Sequence, residues 1–190
     1  MKENIEKPTS KVNLQDFKPS IGLDRGVPRW KEGLWYLIKV VLFRSALPYP
    51  SKIKVILLRA FGAKVGKRTV IKPNINIHFP WKLDIGNNVW IGEEVFILNF
   101  EKVTIGDNVC ISQRAFLCGG NHNYKSPGMD YRNGPITLED GCWVGASCFV
   151  GPNVTIGVDT VVVAGSIVTS DVQPNLVCRI NPKAFEKSRW

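Results

Sequence analysis

From Val65 onward the chain places an aliphatic residue at every sixth position. Val65, Ile71 and Ile77 open the series; Ile85, Ile91 and Ile97 follow after a slip of two residues, and Ile105, Ile111 and Leu117 after another. A long break separates Leu117 from Leu138, and then Leu138, Val144, Val150, Ile156, Val162 and Val168 run without a slip. The next position is often glycine, as at Gly66, Gly86, Gly106 and Gly145. Four positions after an anchor stands a second small or β-branched residue, such as Val89, Val95, Val109, Ala115, Cys142, Cys148, Val154, Thr160 or Ser166. A helix repeats every 3.6 residues and a half-buried strand every two, so neither generates a period of six. A short strand followed by a turn does, and three such units per coil close a triangle with the anchors inside. Glycine supplies left-handed or crowded backbone at the corners. The anchors make five groups of three, and coils spaced like neighbouring strands give a prism roughly 24 Å tall.

Stacked coils bury their ends only against neighbours, so the terminal coils need caps. At the N-terminal end, Leu34–Leu47 and Ile53–Phe61 read as helices. Ile53, Ile56, Leu57 and Phe61 share one helical face, Pro48 and Pro50 separate the two helices, and Gly62 ends the second. Residues 1–30 lack periodicity and are expected to form an extended or disordered arm. The expected division is therefore an arm and helical cap over 1–64, a β-helix over 65–172 and a tail over 173–190.

Composition narrows the function classes. The 190 residues are 44% hydrophobic and 22% charged, which is globular rather than disordered. The apolar stretch Leu34–Leu47 carries Lys39 and Arg44 and is shorter than the ~20 residues a bilayer span needs. The first thirty residues show no apolar signal segment. Five cysteines and two histidines form no metal-ligand spacing, so no metal is expected and a reduced, cytoplasmic protein is the simplest reading. The net charge of +9 is uneven: residues 1–64 hold 13 Lys/Arg against 5 Asp/Glu, and the remainder is nearly balanced. No nucleic-acid motif accompanies that charge. A basic segment on an anionic membrane surface or a phosphate-bearing substrate fits it, as does a plain solvated arm.

The break between Leu117 and Leu138 contains Cys118-Gly-Gly-Asn-His-Asn-Tyr-Lys-Ser-Pro-Gly-Met-Asp-Tyr-Arg-Asn-Gly-Pro135. Turn formers and polar residues dominate, so 118–135 reads as a loop extruded from one corner of the prism, where binding and catalysis concentrate. His122 lies in it and is either a general base or a solvent-facing loop histidine on the residues alone. His78, between Ile77 and Phe79-Pro-Trp, reads as a structural or surface residue.

The repeat resembles that of the hexapeptide-repeat acyltransferases. Phe61-Gly-Ala-Lys-Val-Gly66, Phe79-Pro-Trp-Lys-Leu83, Ile91-Gly-Glu-Glu94 and Val103-Thr-Ile-Gly-Asp-Asn-Val-Cys-Ile-Ser-Gln113 are similar to the colanic acid biosynthesis acetyltransferases, within the maltose and galactoside O-acetyltransferase group. The resemblance covers about residues 34–183. It implies an all-β repeat, a left-handed parallel β-helix of about five triangular coils. It also implies an acetyl-CoA-dependent O-acetyltransferase acting on a sugar hydroxyl in exopolysaccharide biosynthesis. His122 would be the general base, Asn99 a contact to the acceptor or developing oxyanion, and Asn121, Asn123 and Tyr124 acceptor-binding residues. Trp143, Ala146, Ala164, Thr169 and Ser170 match positions lining the coenzyme A groove, with Lys183 and Lys187 as phosphate partners. A homotrimer with sites between subunits completes what the resemblance implies; peripheral contact with the inner membrane is a separate expectation, drawn from the basic helical N-terminus. Two positions depart from the family pattern: Asn123 replaces an aspartate after the histidine, and Ile180 replaces a glycine before Asn181-Pro182. Rival readings are transfer to an amino sugar or antibiotic, and a non-catalytic β-helix scaffold.

Overall fold

A computed structural model describes residues 10–179. The chain winds into an all-parallel β-solenoid whose strands form three flat sheets. The first face stacks Lys64–Val65, Leu83–Ile85, Val103–Ile105, Ile136–Leu138 and Val154–Ile156. The second stacks Val70–Ile71, Trp90–Ile91, Cys110–Ile111, Trp143–Val144, Val161–Val162 and Val177–Cys178. Asn76–Ile77, Phe96–Leu98, Phe116–Cys118, Phe149–Val150 and Ile167–Val168 make the third. All the anchors point inward and are buried, together with the small residues four positions after them. Beyond the five expected coils the chain begins a sixth, with Val172 bridging Ile156 and Val177–Cys178 pairing with Val161–Val162. The six-residue spacing misses this turn because Val172 follows Val168 by four.

The corners divide two jobs between two positions. The third residue after an anchor takes the left-handed conformation at Arg68, Asn74, Asn88, Glu94, Asn108, Arg114, Ser147, Asn153 and Asp159, and at Gly141 and Gly165. Asparagine, aspartate and glycine are common there because they tolerate that region best. The glycine directly after the anchor serves close approach instead. A Cβ at Gly66 would strike the backbone of Gly86, and one at Gly86 the backbone of Gly106.

Outward-facing strand residues differ sharply by face. On the first they are Lys64, Asp84, Thr104, Thr137 and Thr155; on the second Val70, Trp90, Cys110, Trp143, Val161 and Val177. On the third they are Asn76, Phe96, Phe116, Phe149 and Ile167, where Phe96 and Phe116 stack with ring centroids 4.7 Å apart.

The N-terminal end is closed by α1 (Arg29–Ile38), a π-helical turn (Lys39–Phe43) and α2 (Ser51–Ala60). The first helix begins earlier than hydrophobic spacing predicts, since Pro28 stands at its N-cap and a proline costs nothing where no helical N–H is needed. Within the solenoid, anchor carbonyls accept from the preceding coil: Ile85 from Gly66, Ile91 from Lys72 and Ile97 from His78. The first coil has no predecessor, and side chains of the cap take over. Arg59 Nε donates to Val65 O at 3.0 Å, Lys54 Nζ to Lys72 O at 2.7 Å and Ile71 O at 3.4 Å, and Trp35 Nε1 to Ile77 O at 3.1 Å. Ser51 Oγ also bonds both backbone groups of Ile71. Lys54 is fully buried and burial lowers its pKa.

Removing the Lys54 ammonium leaves buried carbonyls short of a donor, so Lys54→Met should destabilise by about 1–3 kcal/mol, whereas Lys52→Met on the exposed side of α2 should change stability by about 0.5 kcal/mol or less; thermal unfolding reads both. His78 packs edge-on against Phe79 and Phe100. Burial first, and then the charge of Lys39, pushes its pKa down from 6.5 to about 4. The unfolded chain therefore binds the proton first as pH falls, so stability should drop between pH 6.5 and 4 by a total of about 3 kcal/mol. His78→Gln should flatten the melting temperature across that window; an unchanged slope would refute the assignment.

Candidate active site

The corner between the third and first faces is irregular in every early coil. The two-residue slips place a 3₁₀ turn at Pro80–Lys82 and the Phe100 region one coil later. In the third coil the whole extruded loop leaves from this corner, after Cys118. The loop folds back on itself as a small hairpin in which His122 bridges Tyr131 in antiparallel fashion. Asn123 N donates to Asp130 O at 2.8 Å, Arg132 N to Asn121 O at 2.8 Å, and Ser126 Oγ to Asp130 Oδ2 at 2.6 Å. His122 is half-buried here, with its ring stacked on Tyr131 at 5.0 Å between centroids.

The decisive contact is between His122 Nδ1 and Met129 O, at 2.6 Å. A carbonyl oxygen only accepts, so Nδ1 carries a proton, and in the neutral ring Nε2 keeps the lone pair. The Met129 carbonyl is held in turn by a left-handed backbone at Met129 and by Met129 N donating to Ser126 O at 3.0 Å. The side chain at position 123 plays no part in orienting the ring; Asn123 Oδ1 accepts from Lys125 N at 3.2 Å and shapes the turn. Asn121 Oδ1 accepts from His122 N at 2.8 Å. Both asparagines are exposed, as is Tyr124.

The described part of the N-terminal arm does not trail away, as its lack of periodicity suggests. It runs along this same corner and is fastened to it. Trp81 Nε1 donates to Arg25 O at 2.6 Å, Lys82 Nζ to Asp24 O at 2.5 Å, Asn133 Nδ2 to Gly22 O at 2.9 Å and Asn13 N to Pro127 O at 3.0 Å. Phe17 thereby reaches the histidine, with ring centroids 5.7 Å from His122 and 5.2 Å from Tyr131. Phe17, Met129 and Tyr131 are absent from the residues that the sequence singles out. The arm carries no repeat, and nothing local marks the Met129 carbonyl.

Asn99 requires correction. Its side chain is 0% exposed and its amide is engaged internally: Phe79 N donates to Oδ1 at 2.8 Å, and Nδ2 donates to Phe79 O at 2.5 Å and Lys82 O at 3.2 Å. It pins the corner that carries the arm and presents nothing to an acceptor or an oxyanion.

A groove of about 410 Å³ runs along the edge between the second and third faces, lined by Ser112, Gln113, Trp143, Gly145, Ala146 and the stretch 161–164. Three of the expected coenzyme-binding positions, Trp143, Ala146 and Ala164, thus come together, and Trp143 Nε1 donates to Ser112 Oγ at 2.8 Å. Their small neighbours leave strand-edge backbone accessible to an extended ligand; apart from its own chain neighbours, no residue lies within 4 Å of where a Cβ at Gly165 would stand. Thr169 and Ser170 are exposed but follow Val168, at the third-to-first edge. Lys183 and Lys187 lie outside the described residues, as does Ile180. Within one chain, therefore, His122 and the Trp143 groove occupy different edges of the prism, with the third face between them. No group of three or more metal-ligating side chains exists among the described residues.

No protein-family profile matches the chain. It is 38% identical over 165 residues to the protein named "Putative colanic acid biosynthesis acetyltransferase WcaF" of Escherichia coli (strain K12), an alignment spanning 87% of this chain and 91% of that protein. Identity to the galactoside O-acetyltransferase of the same organism is 31% over 153 residues, 75% of each chain. A solved galactoside acetyltransferase in complex with coenzyme A superposes with a TM-score of 0.69 at 27% identity, covering 78% of this chain and 76% of that one. The hand of the coil, which a period of six leaves open, is the left-handed one of the hexapeptide-repeat β-helices.

Proposed function

The chain belongs to the hexapeptide-repeat acetyltransferases of the galactoside O-acetyltransferase group, and on that premise we propose that it moves an acetyl group from acetyl-CoA to a sugar hydroxyl in exopolysaccharide assembly. The observation carrying this reading is the Nδ1 contact with the Met129 carbonyl, which leaves Nε2 of His122 as a base. Nε2 takes the proton of the acceptor hydroxyl as that oxygen bonds to the thioester carbonyl carbon. The carbon–sulfur bond then breaks, and the imidazolium returns the proton to the departing thiolate. Transfer is direct, with no acyl-enzyme. Tyr131 and Phe17 hold the ring and shield it from water, while Asn121, Asn123 and Tyr124 stand at the rim on the acceptor side. The Trp143–Ala164 groove takes the pantetheine arm against strand-edge backbone.

Assembly completes the site. The second and third faces present apolar and aromatic side chains outward and the first presents charge and threonine, so the two apolar faces are those suited to contact other copies. Closing three prisms about a parallel axis through those faces covers them. The arrangement proposed here offsets that contact, so that the edge with the histidine loop of one subunit reaches the Trp143 groove of its neighbour. That removes the separation seen within a single chain.

His122→Ala should lower turnover by about 10²–10⁴-fold while leaving acetyl-CoA affinity and oligomer mass unchanged; wild-type turnover would end the mechanism. Subunit mixing checks the shared site. Neither His122→Ala nor the groove-blocking Ala146→Trp protein should be active alone. Random trimers refolded from equal amounts of both should regain about one quarter of wild-type activity, because half of the loops then face half of the grooves. A site contained within one chain would regain none.

A further inference from the structure

We propose that the N-terminal cap is a docking face for an anionic membrane surface, with the outer stripe of α1 as its apolar element. The proposal builds on the side-by-side trimer above but not on the chemistry. Trp30, Leu34, Leu37 and Val41 recur at the i, i+4, i+7, i+11 spacing of a single helical face, and all are exposed, Trp30 by 70% and Leu37 by 64%. The opposite side of the same segment holds Trp35 and Phe43, which are buried over the first coil. The stretch from Arg29 to Phe43 thus has two apolar sides, and the solenoid uses one. Trp35 donates along the prism axis to the end carbonyl of Ile77, so the unused side looks outward from the end of the prism.

Charge identifies the occupant. Arg29 and Lys31 flank Trp30, and Glu32, the acid in α1, is already paired with Arg25. Elsewhere in the same cap, a groove of about 590 Å³ between α2 and the first coil is lined by Lys52, Arg59, Lys67 and Arg68 around Ile56, with no acidic residue in its lining. A second copy seated cap to cap would bring like charge against like, whereas an anionic lipid surface matches both the stripe and its basic surround. Trp30 and Tyr36, exposed beside the cations, have the amphipathic rings that settle at headgroup depth. Among the described residues no helix is long and apolar enough to cross a membrane, which fits a helix lying in the surface. In a parallel trimer three caps face one plane, so weak single contacts multiply.

Sedimentation with vesicles tests this. The full chain should bind vesicles of phosphatidylglycerol and phosphatidylcholine but not phosphatidylcholine alone, and release should follow as salt rises from about 0.1 to 1 M. The double variant Leu37→Gln/Val41→Gln should bind the anionic vesicles about tenfold or more weakly, with melting temperature, oligomer mass and acetyl-CoA binding unchanged. Failure of the wild type to bind, or equal binding by the double variant, would overturn the proposal. So would a change in the variant's oligomer mass, since that would mean a second copy covers the stripe. A trimer that ignores vesicles defeats docking alone. A monomer that binds them through this stripe defeats the side-face trimer and leaves docking standing.

Discussion

Everything in this molecule depends on the requirement that each coil's peptide groups be answered by the coil above or below. A parallel solenoid has no hairpins to turn its edges inward, so its ladders run uninterrupted along the axis and stop only at the two ends. At the N-terminal end the three unanswered anchor carbonyls, six residues apart, meet three different long donors: Arg59, Lys54 and Trp35. The cap is therefore a structural part of the ladder, not an accessory helical domain. A buried ammonium is tolerated there because its alternative, buried carbonyls without donors, is worse. Having been recruited to close the end, the cap helices necessarily carry a second surface pointing away from the prism, and that surface is free to acquire its own chemistry.

The triangular section also decides where function can sit. Anchors and their small partners fill the interior, leaving no central cavity for a ligand. The usable places are the edges, where the chain turns and where extra residues can be inserted without disturbing the ladders. One edge receives all the insertions: the Pro80–Lys82 turn, the Phe100 region and the histidine hairpin. These form a continuous shelf. Asn99 stabilises it from inside, Trp81 and Lys82 hold the arm to it, and the arm in turn delivers Phe17 to His122.

How much of this was legible in the sequence follows from the range of the interactions involved. The solenoid could be read because its rule is local and repeated; every anchor from Val65 to Val168 obeys it and is buried, while Leu83, Val103, Ile136 and Val172 point inward as well without being marked by the spacing. The loop was legible as an interruption of that rule, and His122 as the imidazole within it. The helix start at Arg29 was obscured because Pro28, a capping signal, lay inside a stretch that lacked periodicity. Asn99 misled because an asparagine beside an irregular corner looks the same in sequence whether it faces solvent or the interior. Contacts such as Phe17 with His122, or Trp35 with Ile77, join residues far apart in the chain without any pattern linking them, so only the folded geometry shows them.

The outer faces carry a different kind of information. A period of six constrains the inward residue of each strand and leaves its outward neighbour open, so any mixture of polar residues would serve the coil equally well. The chain instead places lysine, aspartate and threonine along one face and tryptophan, phenylalanine and aliphatics along the other two. Such segregation confers nothing on an isolated prism, and large exposed apolar areas carry a cost in solubility. It becomes intelligible when the faces are divided between solvent and neighbouring copies. On the proposed assembly, the same division accounts for the separation of the histidine from the Trp143 groove. Two edges bordering one apolar face cannot meet within a prism, so a site built from both needs residues of two copies, as the proposed trimer supplies. The proposed assembly thus rests on one geometric property: a triangular prism has both its sides and its edges available along its full length.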